Sequence, residues 1–270
     1  MNQAEPGNRP SRVVRSFVAE TQFEAIPTAV RDRLKLGFLA AISAATSAGP
    51  KWSLPDADLP LARATARNAV AVHDGDPDPD PVGAGSATCA WCVPVVLTAA
   101  TGRVPGADLL TAAAVGTELG LRLRAAAGDT LTRRGLDLSV TGTLAATAAA
   151  ARLLGADPEQ TGSALGIAAC ATPSALLAGW RASVARSYLA HAAGQAVTAV
   201  ELALRGLRGL TEWIGPWFAA LAPDADPTPI TVELGDRWLV ADAPDPSLAQ
   251  ARAVAARLAG QLRAERISPD

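Results

Sequence analysis

The chain has 270 residues, a formal net charge of -2 and a pI near 5.8. That balance argues against a general nucleic-acid binder, which needs a basic face to displace counterions from phosphates. Hydrophobic residues make up 49% and aromatics only 4%, so the core is expected to be mostly alanine and leucine. Alanine is the best helix former, and small side chains let helices approach closely.

Three cysteines, Cys89, Cys92 and Cys170, are too few for a disulfide framework. Residues 1–10 are polar and lack the apolar run of a secretory signal. Residues 82–102 and 160–180 carry no charge and are long enough to span a bilayer, but Gly, Ser, Thr and Pro dilute them. They read as buried helices of a large helical body, with a cytoplasmic location and no membrane partner.

In chain order, a first long helix is expected over 27–49, where Val30, Leu34, Phe38 and Ile42 recur every fourth residue above a proline start. A second opens at Pro105-Gly-Ala-Asp and runs to Gly128. Residues 141–155 are nearly pure alanine and leucine, closed by Gly155, and Asp157-Pro158 starts the next helix. Residues 183–206 form another, and 247–265 a last. Strand signals occur only around 230–241, where Thr-Val-Glu-Leu and Arg-Trp-Leu-Val flank Gly235-Asp236, a pattern that predicts one β-hairpin (about 229–242). The expected architecture is therefore all-α, one domain over 1–270, with at most that hairpin.

The sharpest local feature is Asp74-Gly-Asp-Pro-Asp-Pro-Asp-Pro. Its alternating prolines hold Asp76, Asp78 and Asp80 on a stiff, extended segment. Such a segment is either a solvated loop or a pre-organised acidic site for acid–base work or a cation, although no glycine-centred calcium-loop spacing follows it. Cys89-Ala-Trp-Cys92 has no second ligand pair, and His73 and His191 are the only imidazoles, so no metal site and no metal cofactor are expected. No phosphate cradle or nucleophile elbow is present, and no cofactor of any kind is called for. Trp213, Trp217 and Phe218 could stack on a ligand, although their spacing favours core or a subunit contact.

Several segments, in collinear order over about 12–215, resemble the MmgE/PrpD family, which contains 2-methylcitrate dehydratase and cis-aconitate decarboxylase. They are Ile26-Pro-Thr-Ala-Val-Arg, Thr101-Gly-Arg-Val-Pro-Gly-Ala-Asp-Leu-Leu, the stretch from Thr141-Gly-Thr through Leu153-Leu-Gly-Ala-Asp to Ala164-Leu-Gly-Ile-Ala, and Ala192-Ala-Gly-Gln-Ala through Arg205-Gly-Leu-Arg-Gly. The resemblance implies a large helical domain followed by a smaller α+β lid, usually as a homodimer. Here it implies a shortened form without most of the lid, the 229–242 hairpin being a remnant. A homodimer would then bury helices that the lid leaves uncovered.

Residue by residue, the family's aspartate loop matches Asn68, His73, Asp76 and Asp78, while its last aspartate falls on Pro79. Thr141, Gly142 and Thr143 match, but two family histidines fall on Ala87 and Ser139. The family's lysine falls on Ala185, beside Arg186, and a third histidine falls on Tyr188. The resemblance thus implies Asp76 or Asp78 as the acid–base group with Tyr188. It implies His73, Ser139, Thr141 and Arg181 or Arg186 as substrate-binding groups. Ala87, Ser139 and Ala185 cannot hold a tricarboxylate as cations would. Two readings stay open: an enzyme doing elimination, isomerisation or cyclisation on a larger, less anionic small molecule in natural-product metabolism, or an inactive paralogue that binds a ligand or steadies a partner.

Overall fold

Helix boundaries follow the capping chemistry of the sequence. The computed structural model describes residues 10–47, 58–75, 87–100, 104–136, 139–171 and 182–242. Within them lie α1 (Pro10–Glu20), α2 (Thr28–Ser47), α3 (Leu61–Gly75), α4 (Ala87–Ala99), α5 (Gly106–Ala127), α6 (Thr130–Arg133), α7 (Ser139–Leu153), α8 (Pro158–Cys170), α9 (Ala182–Leu204), α10 (Ile214–Leu221) and α11 (Leu239–Asp242). The expected 247–265 helix lies outside the described residues.

The turn between α7 and α8 shows how local chemistry sets an element. Gly155 adopts φ +73°, and the Ala156 amide donates back to Ala151 O at 3.0 Å, closing α7 with a left-handed residue. Asp157 then caps α8. Its Oδ1 accepts the Gln160 amide at 2.8 Å while Gln160 Oε1 accepts the Asp157 amide at 3.0 Å, with Pro158 in the first turn.

The core is built on α5 and α7. Val140, Leu144, Ala145, Ala146 and Ala148–Ala151 of α7 are completely buried, as are Ala112–Val115 of α5. The two helices pack on each other; α7 also meets α4, α8 and α9, and α5 meets α2 and α4. Side chains this small leave the backbones in close contact. Trp213, Trp217 and Phe218 join this core, so the core reading of that cluster holds. No helix among the described residues is long and apolar enough to cross a membrane.

One stripe departs from expectation. Val30 and Leu34 are buried, but Ile42 is 37% exposed, and Ala41, Ala44 and Ala45 face inward instead. Each i,i+4 step advances about 400°, so the stripe turns about 40° per step and leaves the buried face within three steps.

The expected hairpin does not form. Residues 228–242 contain a 3-10 turn (Thr228–Ile230), further turns, one isolated bridge between Leu234 and Arg237, and α11. No strand occurs among the described residues, which makes this part of the protein all-α. The cause is a buried pair on α5. Arg122 Nε donates to Glu118 Oε1 at 2.7 Å, and its other donors reach the carbonyls of Ile230 (3.2 Å), Val232 (2.6 Å), Glu233 (3.3 Å) and Arg237 (2.6 Å). Glu118 accepts the amides of Leu239 and Val240 at 3.0 and 3.1 Å. Main-chain groups that a hairpin would pair across strands are satisfied by side chains. At the entry to the segment, the Thr228 hydroxyl and amide bond to Asp226 and hold its carboxyl below the usual carboxylate range.

Glu233 is the one non-glycine residue with positive φ (52°) among the described residues. A side chain there costs about 1–2 kcal/mol, of which glycine's extra unfolded-state freedom takes back a part. Glu233→Gly, at an exposed position, is therefore expected to raise the unfolding free energy by about 0.5–1 kcal/mol in a urea titration.

Candidate functional site

The residues singled out from sequence sit on or beside α3, α7 and α9. These helices share a neighbour in α4: α3 packs on α4 and α9, α7 packs on α4 and α9, and α4 touches α9. His73 is half-buried in the last turn of α3. Asp76 and Asp78 follow the end of that helix and lie outside the described residues, as does Arg181. Ser139 is the first residue of α7, and Thr141 is buried in its first turn. Arg186 belongs to the N-terminal part of α9, and Tyr188, half-buried, follows on the same helix. His191, further along α9, is exposed.

The helices α3, α4, α7 and α9 meet in a single buried cluster. It contains Ala69, one turn before His73; Trp91 of α4; Ala146 of α7; and Leu189, the neighbour of Tyr188. Trp91 lies flat against Gly142, next to Thr141. A Cβ on Gly142 would stand 2.5 Å from Trp91 Cδ2 and 2.7 Å from Cε2, far inside contact distance. Gly142 is thus glycine because the indole occupies the space of its side chain. Gly142→Ala is expected to cost about 1–3 kcal/mol of stability by overpacking, and a smaller residue at Trp91 in the same chain should recover part of it. Paired denaturation curves of the single and double variants would check this.

A polar relay fixes α3 to α4. Asn68, completely buried, donates from Nδ2 to Thr98 Oγ1 at 2.9 Å, and that hydroxyl donates to Pro94 O at 2.6 Å. Asn68 matches the aspartate-loop pattern in sequence, and its observed work is to hold α3 in place ahead of His73. Behind it, Gly194 of α9 brings that helix against Ala62 and Ala66 of α3.

Sequence reasoning missed Trp91, Asn68–Thr98 and Glu118–Arg122 as organising groups. The last pair had a signal: two opposite charges four residues apart in a helix otherwise rich in Ala, Leu and Gly. Cys92 is completely buried in the core, and Cys170 is exposed. Among the described residues no group of His, Cys, Asp and Glu could hold a metal ion.

Compared with known proteins, residues 51–217 match the family model of the MmgE/PrpD N-terminal domain. The match spans α3 to α9 and so includes every candidate site position; α1, α2 and residues 228–242 fall outside it. No curated protein matches the chain.

Proposed function

This chain belongs to the MmgE/PrpD family, and we propose that it uses the family's helical cleft for cofactor-independent acid–base chemistry on a larger, less anionic small molecule. The reaction class is elimination, isomerisation or cyclisation, each of which needs a positioned proton donor and acceptor beside a shaped apolar surface. Asp76 or Asp78 is the acid–base group and Tyr188 its partner. Arg181 or Arg186 anchors the substrate, and His73, Ser139 and Thr141 supply hydrogen bonds.

The observation that carries this reading is the pairing of a retained aspartate loop with lost cations. Asp76 and Asp78 keep the family pattern, whereas Ala87 and Ala185 stand where the pattern has a histidine and a lysine. Chemistry is retained and selection for carboxylates is not. The mutual packing of α3, α4, α7 and α9 supports it further, since it gathers the helices that carry or flank the named residues. A setting in natural-product metabolism suits such a change of substrate.

The test is a panel of hydroxylated and unsaturated compounds with no more than one carboxylate, incubated with the protein in deuterium oxide. Mass spectrometry should find loss of water, rearrangement or deuterium at carbon for some member. Turnover of methylcitrate or cis-aconitate in the same assay would refute the loss of carboxylate selection. Binding without any turnover across the panel would favour the second reading, an inactive paralogue, for which the replaced bases at Ala87 and Ser139 speak.

We also propose a cytoplasmic homodimer. Leu202, Leu204, Leu207 and Leu210, at and beyond the end of α9, are 36–50% exposed, and association would cover part of that apolar surface. Light scattering at micromolar concentration is expected to give twice the chain mass of 27.5 kDa; a monomer would refute this.

A further inference from the structure

We propose that residues 228–242 are a main-chain latch, which opens and closes as one unit on the keeper formed by Glu118 and Arg122. The latch touches three helices. Beyond the α5 pair, Arg33 of α2 donates from Nη1 to Val240 O at 2.9 Å, and Phe17 of α1 meets the Trp238 ring at 5.5 Å between centroids. It thereby staples α1 and α2 to the central helix.

Two features make the unit cooperative. First, its hold combines main-chain atoms with a short apolar face, in which Leu234 and Ala241 pack against the core beside three buried side chains. Ile230, Trp238 and Val240 are buried, but Val232, Glu233, Asp236 and Arg237 are exposed. Second, those main-chain atoms converge on two side chains. All the N–H groups of one planar guanidinium are engaged, so it cannot tilt away from one carbonyl without loosening the rest. Glu118 in turn couples the Leu239 and Val240 amides to the same pair.

Ahead of the latch, Pro223, Asp224 and Asp226 are exposed, and the connection to α10 can pivot once the partly buried Ala225 leaves the core. Beneath it, α5 is held independently by α7. Opening therefore uncovers faces of α2 and α5 while the helical body stays folded. This is a conformational device separate from the candidate site, and it stands whether or not the proposed chemistry is right.

Native-state hydrogen exchange of the full chain, followed by mass spectrometry in sub-denaturing guanidinium, tests it. The amides of Ile230, Leu234, Asp236, Arg237, Leu239 and Val240 should share one opening constant and exchange before those of α5 and α7. Arg122→Lys, which keeps the charge and loses the fork, should speed all of them about 10–100-fold by a common factor. That includes Leu239 and Val240, which Arg122 does not touch. If Arg122→Lys does not fold, Glu233→Gly serves in its place and should slow the same set by a common factor of a few. The proposal is overturned if these amides exchange with scattered constants, or only together with α5 and α7. It is also overturned if the variant speeds only the amides next to the carbonyls it releases.

Discussion

Replacing Glu118 with alanine is expected to lower the unfolding free energy by about 3–5 kcal/mol, because Arg122 would be left buried with an uncompensated charge. The guanidinium has no route to water where it sits: it is 3% exposed and its carbonyl partners do not neutralise it. The Leu239 and Val240 amides lose their acceptor in the same step. For a chain of this size the melting temperature should fall by roughly 10 °C. A double variant, Glu118→Leu with Arg122→Met, should be less damaging than Glu118→Ala, since an apolar pair leaves no charge behind. Calorimetry of the three proteins decides the matter, and a loss below about 1 kcal/mol in Glu118→Ala would show that the pair carries little weight.

Asp76→Asn is expected to reduce turnover by about 10²–10⁴-fold, the usual contribution of a general acid or base, with the melting temperature nearly unchanged. Asparagine keeps the size and polarity of aspartate and removes the ionisable carboxyl group. Stability should be insensitive because α3, which ends at Gly75, is secured to α4 by Asn68 and Thr98 ahead of the substituted position. Asp78→Asn run in parallel identifies which carboxylate acts. The measurement is initial rate with the compound found by the deuterium assay. Full activity in both variants would leave acid–base chemistry at this loop without support, and the ligand-binding reading would stand.

The helical plan was legible because its signals are local. Asp157-Pro-Glu-Gln announces the start of α8, Gly155 the end of α7, and the run of alanines ahead of Gly155 favours helix strongly. Two failures share one cause. The 230–241 alternation looks like a hairpin because nothing near it in sequence shows that Arg122 claims its carbonyls. Likewise, Gly142 is unremarkable in an alanine-rich helix until Trp91 is seen against it. Contacts between distant residues override local propensity in both places. The candidate site was legible chiefly through the family resemblance, which Asp76, Asp78, Thr141 and Tyr188 carry by position; the burial of Thr141 and the cluster around Leu189 required three dimensions.

The alanine-built α7 sets a limit on how this protein can change its ligand. The buried alanines of this helix, Ala145, Ala146 and Ala148–Ala151, carry one carbon each and have nothing to trim, so truncation along it can open a cavity only at larger side chains such as Val140 and Leu144. Enlargement is no easier, because its faces already touch neighbouring backbones and one added methylene displaces a helix. Remodelling of the space near α7 therefore falls to those few side chains and to the bulky residues that share its buried cluster, Trp91 and Leu189. New selectivity in such a fold arises by exchanging those few large side chains against a floor that does not vary.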